Sequence, residues 1–223
     1  MPEMVIDDGL EWHAFFSYVW NTGQDQCQLI KQQLLLLLPE ARLFLDLDDL
    51  DDLSLIESHV ADSQCVLLFL SRGFFHSNHC LREVRAMAAG TKPLVLVHES
   101  DESRGGAPLE RLKMESADSG FREYVFNAPA MVVTRGRQGS GGGVSRLSGK
   151  GGEGEPREVI SWHRLADFQL VSLKHIAAAV LHSSPPYQGF VAMPRLYVPE
   201  EVGESELEFE APLVVSVSSS NAG

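Results

Sequence analysis

The chain has 223 residues, of which 18 are lysine or arginine and 31 are aspartate or glutamate, so its formal net charge is -13 at pH 7. This length is sufficient for one α/β domain of ordinary size with a tail or an insertion. The negative charge would repel a phosphate backbone, and no stripe of lysine or arginine interrupts it, so the composition argues against nucleic-acid binding.

The cysteines and the apolar runs bear on the cellular compartment. Cys27, Cys65 and Cys80 are an odd number without the spacing of a disulfide framework or a zinc ribbon, which favours reduced thiols. The amino terminus carries acids where a secretory signal has basic residues. The longest apolar run, residues 34–38, is far below the roughly 20 residues that a membrane span requires. We expect a cytoplasmic protein without a membrane span.

The hydrophobic pattern predicts five strands that alternate with helices. In chain order the strand segments are "HAFFSYVW" (13–20), "ARLFLDL" (41–47), "SQCVLLFLS" (63–71), "KPLVLVHES" (92–100) and "REVISWHR" (157–164). The predicted helices cover residues 24–38, a short stretch near 53–60, the segment from Ser77 to Gly90, and the segment that precedes "SSPP". The third and fourth strands are almost continuously apolar, as is typical of central parallel strands.

This alternation predicts a flavodoxin-like, doubly wound, five-stranded parallel sheet with helices on both faces. Ligands of such folds bind at the carboxyl ends of the strands. The domain is expected to span residues 11–183, with a flexible glycine-rich insertion at about 135–156, where nine of the 19 residues from Gly136 to Gly154 are glycine. Residues 184–223 form an extension with strand-like segments, or the start of a further module.

An acidic segment, residues 46–52, contains five aspartates. It lacks the glycine and glutamate positions of an EF-hand. A response-regulator site would need an acidic pair after the first strand, where this chain has "SYVWN". The simpler interpretation is a solvated loop that caps the next helix through Asp52 or Ser54. The "G-x-G" at Gly152 lacks the strand and helix of a dinucleotide-binding turn.

The stretch "HSNHCLREVRAMAAG", residues 76–90, concentrates reactive side chains at a helix start. Ser77 is the predicted N-cap, and Cys80 is expected to face the core. His76, His79 and Glu83 could in principle bind a metal, but His76 would precede the cap, and we expect no metal site. Glu83 follows a central strand and so lies where these folds bind ligands, although a surface glutamate is the alternative.

Read together, these segments resemble a Toll/interleukin-1 receptor (TIR) domain. "HAFFSYVW" is similar to the first-strand signature of that family, with His13 in place of aspartate. "SNHCLREV" is similar to its serine-x-tryptophan-cysteine-x-x-glutamate motif, with His79 in place of tryptophan. The resemblance covers about residues 12–181. The segment at the position of the BB loop departs from the family because it has five aspartates and lacks the usual glycine and basic residue.

The resemblance implies two functions. TIR domains either associate with other TIR domains as adaptors or cleave NAD at the nicotinamide-ribose bond by means of a glutamate on the third helix, which here is Glu83. NAD would be a substrate, with no separate cofactor. The residues that would line the nucleotide pocket are Phe16, Ser17, Trp20, Asn21, Ser77 and His79.

The leading hypothesis is a TIR signalling domain that hydrolyses NAD when its copies self-associate. The main alternative is a non-catalytic module that recruits other TIR domains. A nucleotide-sensing or response-regulator-like domain is a third interpretation.

Overall fold

The computed structural model describes residues 2–45, 56–127, 156–188 and 196. Its strands are β1 (Trp12–Tyr18), β2 (Leu43–Phe44), β3 (Ser63–Leu70), β4 (Leu94–Glu99) and β5 (Val159–Trp162). Its α-helices are α1 (Trp20–Leu37), α2 (Ile56–Ala61), α3 (Asn78–Gly90), α4 (Leu109–Asp118), α5 (Arg122–Phe126) and α6 (Ala166–Ser183). No helix within these residues is long and apolar enough to cross a membrane.

The five strands form one sheet in the order β2-β1-β3-β4-β5, and every neighbouring pair is parallel. The strand order changes direction between β1 and β3, because the chain first adds β2 on one side of β1 and then β3 on the other. This is the flavodoxin-like order, with its switch point between β1 and β3. The predicted fold class is confirmed.

Two hydrophobic clusters cover the two faces of the sheet. One contains Phe16 together with apolar residues of α1 and α6, and the other contains Phe15 together with residues of α3 and α4. Because helices cover both faces, all eight residues of β3 are buried. This explains why the third strand segment is almost continuously apolar.

Helix α1 begins at Trp20, four residues before the predicted start, so the turn-forming residues of "NTGQD" lie in its first turns. Gly23 is buried there, and a Cβ atom at this position would lie 3.0 Å from the Phe69 ring and 3.1 Å from Cβ of Tyr18. The close approach of the helix to the strand ends therefore requires a small residue. The glycine in "NTGQD" therefore allows close packing of a helix and does not mark a loop.

Two helices were not predicted. Helices α4 and α5 lie between Glu99 and Val159, where the hydrophobic pattern is weak. Leu112 is the fully buried apolar residue of α4, which otherwise presents a polar surface, so its sequence carries little helical periodicity. The acidic segment 46–52, the proposed caps Asp52 and Ser54, the glycine-rich insertion and nearly all of the tail after Gln188 lie outside the described residues.

His13 is buried in β1, at the position where the resembled family has aspartate. Its Nδ1 accepts a hydrogen bond from the backbone N–H of Arg42 at 2.9 Å, which requires that nitrogen to be unprotonated. Burial, with a smaller contribution from the charge of Arg42, lowers the pKa of His13 to about 4. The folded protein therefore holds a neutral histidine at neutral pH.

This histidine should make the protein less stable in mild acid. In the unfolded chain His13 becomes protonated below pH ~6.5, whereas in the folded chain it becomes protonated only as the pH approaches 4. Between these pH values the unfolded state binds more protons, so the free energy of unfolding falls as the pH falls. His13 alone should lower the free energy of unfolding by about 3 kcal/mol between pH 7 and pH 4. Urea unfolding of wild type and His13→Asn at several pH values measures it.

The variant should lose this part of the acid dependence, because asparagine can accept the same hydrogen bond without titrating. His182→Asn, at an exposed position of α6, is the matched control and should leave the pH profile as in wild type. Identical acid profiles for wild type and His13→Asn would contradict the assignment.

Candidate functional site

Ser17 and Glu83 meet at the carboxyl end of β1. Ser17 is fully buried, and its Oγ donates a hydrogen bond to Oε2 of Glu83 at 2.5 Å. Glu83 lies on α3 and is half-buried. A fixed hydroxyl donor restricts the rotamers of the carboxylate. The structure thus brings together two of the residues predicted for the site.

The start of α3 is held by Ser77 and Cys80. The backbone N–H of Cys80 donates to Oγ of Ser77 at 3.3 Å, so Ser77 is the N-cap, as its position predicted. The thiol of Cys80 is buried and donates to the carbonyl of Tyr18 at 3.4 Å. Burial raises the pKa of this thiol, and the nearby charge of Glu83 raises it further. Cys80 is therefore a core thiol that links α3 to the end of β1.

Two other predicted pocket residues occupy different environments. Phe16 lies in the core cluster between the sheet and helices α1 and α6. It is adjacent to Ser17 in an extended strand, so its side chain points to the opposite face of the sheet. His79 is exposed on the first turn of α3. Phe16 serves packing, whereas His79 remains accessible to a ligand or a partner.

Trp20 and Asn21 line a separate cleft of about 340 Å³ at the start of α1. Its other lining residues are Thr22, Gly23, Gln24, Asp25, Gln26, Arg104 and Arg164. The lining is mainly polar, with the exposed indole of Trp20 as its one large aromatic surface. Among the described residues, Glu83 does not line this cleft. Within one chain, the predicted pocket residues thus lie in different places. Ser17 contacts Glu83, whereas Trp20 and Asn21 line the cleft.

Arg164, which lines the cleft, forms an ion pair with the buried Glu99. Nε of Arg164, just after β5, lies 2.7 Å from Oε2 of Glu99, at the end of β4, and the Glu99 side chain is 1% exposed. The other oxygen of Glu99 accepts the backbone N–H of Asp101 at 2.8 Å. Arg164 also donates to the carbonyl of Arg104 at 3.2 Å. These contacts fix the loop after β4 against the end of β5.

The same loop approaches α1 very closely. Gly105 has a φ of +92°, and a Cβ there would lie 3.0 Å from Cβ of Thr22. At Gly106 a Cβ would lie 2.6 Å from the backbone oxygen of Glu99, which no side chain tolerates. The hydroxyl of Thr22 in turn lies 2.8 Å from that of Ser71, at the end of β3. Ends of three strands therefore position the cleft.

The sequence reasoning missed Glu99, Arg104 and Arg164. The available signal was that "HES" and "WHR" end two predicted parallel strands, so their polar residues had to reach the same edge of the sheet. Their mutual pairing required knowledge that β4 and β5 are neighbours.

The three residues considered as metal ligands are not assembled into a site. His76 lies 3.4 Å from Oε1 of Glu115 on α4, and that oxygen also accepts from Arg111 at 2.8 Å. Within the described parts of the chain, no group of three or more His, Cys, Asp or Glu side chains could hold a metal ion.

Glu99→Ala should destabilise the fold strongly. It leaves Arg164, whose side chain is 21% exposed, without its carboxylate, and it removes the acceptor of the Asp101 N–H. Breaking one partner of a buried pair costs about 3 kcal/mol. Urea unfolding measures the change.

Glu110→Ala serves as the control, because Glu110 forms an exposed pair with Lys113 on α4. Removing that carboxylate should leave the urea midpoint essentially unchanged. A small effect of Glu99→Ala, comparable to this control, would show that the buried pair does not organise the loop.

Comparisons with known proteins give structural likenesses alone. No family model and no curated protein matches the sequence. The TIR domain of the Toll-related receptor TRR-2 from the lower metazoan Hydra magnipapillata is 14% identical, with 39% of this chain and 70% of that chain covered and a TM-score of 0.30. The TIR domains of the activated Roq1 resistosome, which directly recognises the pathogen effector XopQ, are 16% identical, with 51% and 71% covered and a TM-score of 0.32. The chain is similar to these TIR domains, while its own sheet order shows the flavodoxin-like fold.

Proposed function

We propose that the chain is a TIR-like signalling domain that hydrolyses NAD at the nicotinamide-ribose bond when its copies self-associate. The observation that supports this most is the contact between Ser17 and Glu83. It holds a half-buried carboxylate at the ligand-binding edge of a doubly wound sheet. The motif resemblance points to the same residue.

One carboxylate is sufficient for this reaction. The nicotinamide ring of NAD carries a positive charge and leaves as a neutral molecule, so the leaving group needs no general acid. A water molecule then forms the new bond to the ribose carbon and releases one proton to the solvent. The carboxylate stabilises the positive charge that develops on the ribose and orients its hydroxyls. The hydrogen bond from Ser17 holds one oxygen of Glu83, which reduces the reorganisation needed as charge develops.

The separation of the two halves of the predicted pocket supports the proposed self-association. The cleft beside Trp20 and Asn21 does not include Glu83 among its described lining residues. A second copy could supply the missing wall, with the exposed indole of Trp20 available to stack on a ring of the substrate. We therefore expect activity to rise with protein concentration more steeply than linearly.

The same separation is also compatible with the alternative function. If no assembly joins Glu83 to the cleft, the exposed Trp20 and His79 serve contacts with other TIR domains, and the protein is a non-catalytic module. The two functions differ in one result. Association without nicotinamide release supports the module, whereas release that depends on Glu83 supports the enzyme.

Glu83→Gln should abolish turnover. Glutamine keeps the size and can still accept from Ser17, but it lacks the charge that stabilises the transition state, so we expect a loss of at least about 100-fold. The chain is concentrated or tethered on beads, and nicotinamide release from NAD is followed. Glu110→Gln, the same change at an exposed glutamate of α4, should retain wild-type activity.

Two results would refute the enzymatic function. One is no turnover in assembled wild type. The other is equal turnover in wild type and Glu83→Gln.

Ser17→Ala should lower kcat by about tenfold and leave KM nearly unchanged, because the hydroxyl orients Glu83 rather than contacting substrate. Steady-state kinetics of the assembled protein measures both constants. Ser63→Ala is the matched control, since Ser63 is also buried and hydrogen-bonded but lies at the amino end of β3. A rise in KM alone would instead show that Ser17 binds substrate.

A further inference from the structure

Two arginines line one cleft in a strongly acidic protein. Among the described lining residues of the cleft at the start of α1, the charged ones are Arg104, Arg164 and Asp25. Two arginines against one aspartate give this lining a net charge of +1, whereas the whole chain carries -13. A recessed surface whose charge is opposite to that of the rest of the molecule attracts anions.

Arg164 is fixed by groups outside the lining of the cleft. Its Nε donates to Oε2 of Glu99 at 2.7 Å, and its Nη2 donates to the backbone carbonyl of Arg104 at 3.2 Å. These contacts use two of the five N–H donors of the guanidinium group. Because Glu99 offsets part of its charge, Arg164 contributes mainly hydrogen-bond donors in a fixed orientation.

Arg104 has the less compensated charge. Its side chain is 63% exposed, and its Nε lies 3.6 Å from Oδ2 of Asp101, beyond ordinary hydrogen-bond distance. The other oxygen of Asp101 accepts hydrogen bonds from the backbone N–H and the hydroxyl of Ser103, at 3.0 and 2.6 Å. A loose, exposed pair of this kind contributes little to stability. The guanidinium of Arg104 can therefore turn towards a ligand without loss of a strong contact.

The backbone around Arg104 is held from several sides. The N–H of Arg104 donates to the carbonyl of Asp101 at 3.0 Å, and the N–H of Arg72 donates to the carbonyl of Gly105 at 2.9 Å. The side chain of Arg72 donates to the carbonyl of Glu102 at 2.6 Å. A loop that is already ordered loses less conformational entropy when a ligand binds.

The α1 side of the cleft offers a ring surface and amide groups. The indole of Trp20 is 42% exposed and can stack on a planar ring. Asn21, Gln24 and Gln26 bring side-chain amides, which both donate and accept hydrogen bonds. Oε1 of Gln26 accepts from the indole N–H of Trp162 at 2.8 Å, so its amide group acts towards a ligand as a donor. The cleft thus combines a stacking surface and neutral donors with two cationic groups.

We propose that this cleft binds the diphosphate group of a ribonucleotide, with Arg104 and Arg164 on the phosphate oxygens and Trp20 on the base. Arginine suits this role because its paired N–H groups match two oxygens of a phosphate. A volume of about 340 Å³ is within the range of small-molecule sites. The inference rests on the proposed function for the identity of the natural ligand, since NAD contains such a diphosphate.

Equilibrium binding tests the site without turnover. Isothermal titration calorimetry with ADP, AMP, adenosine and inorganic pyrophosphate is carried out on the dilute wild-type chain. ADP should bind at least about tenfold more tightly than adenosine, and its affinity should fall as the salt concentration rises, because the added affinity comes from charged contacts. AMP should lie between the two. Pyrophosphate that binds as tightly as ADP would overturn the assignment of the base to Trp20.

Substitutions at Arg104 test which charge is responsible. Arg104→Gln should weaken ADP binding by about tenfold and leave adenosine binding unchanged, because only the phosphate contact is lost. Arg104→Lys should recover part of the affinity, since lysine keeps the charge but not the paired donors. Arg122→Gln, at an exposed arginine of α5, is the matched control and should bind ADP as wild type does.

Three results would overturn the site. One is equal ADP affinity in wild type and Arg104→Gln. Another is equal affinity of wild type for ADP and adenosine. The third is no ADP binding to wild type.

Failure of this site and failure of the enzymatic function are distinguishable. Binding of ADP that depends on Arg104, in a chain that releases no nicotinamide when assembled, would refute the enzyme and support the site. Release of nicotinamide by a chain whose ADP affinity does not depend on Arg104 would support the enzyme and overturn the site.

Discussion

The parallel pairing of β1 with β3 is the constraint on which the candidate site depends. Six pairs of residues, from Trp12 opposite Ser63 to Tyr18 opposite Phe69, hold the two strands in register. Because β3 is buried on both faces, a shift of one residue would exchange the sides of every β1 side chain. The register therefore places Ser17 towards α3, where Glu83 lies, and Phe16 towards α1 and α6.

This division explains why neighbours with similar sequence signals have different roles. Phe16 and Ser17 belong to one motif, yet the first completes a core and the second orients a carboxylate. The two glutamates at this edge differ in the same way. Glu99 is 1% exposed and neutralised by Arg164, so it organises a loop. Glu83 is half-buried, and the hydrogen bond from Ser17 restricts the orientation of its carboxylate.

The strands and the class of the fold could be predicted because buried parallel strands are nearly continuous apolar runs, and "SQCVLLFLS" admits few other interpretations. Ser77 could be predicted as a cap from its position before an apolar-periodic segment. Helix α4 could not, because it buries little apolar surface. The contact of Arg164 with Glu99 could not either, because it joins residues 65 positions apart and depends on which strands are neighbours. Long-range pairing of polar groups leaves no local pattern in a sequence.

The histidine at position 13 shows how a buried backbone donor can be satisfied without a buried charge. The strand needs an acceptor for the N–H of Arg42, and Nδ1 of a neutral imidazole provides one as a carboxylate oxygen would. A carboxylate would carry a charge into the core, whereas His13 stays uncharged because burial lowers its pKa. In a chain with a net charge of -13, a neutral acceptor at this buried position avoids adding to the repulsion among carboxylates. A neutral His13 thus satisfies the Arg42 N–H at the start of β1, while the register of β1 with β3 places Ser17 at the other end of the strand, where it contacts Glu83.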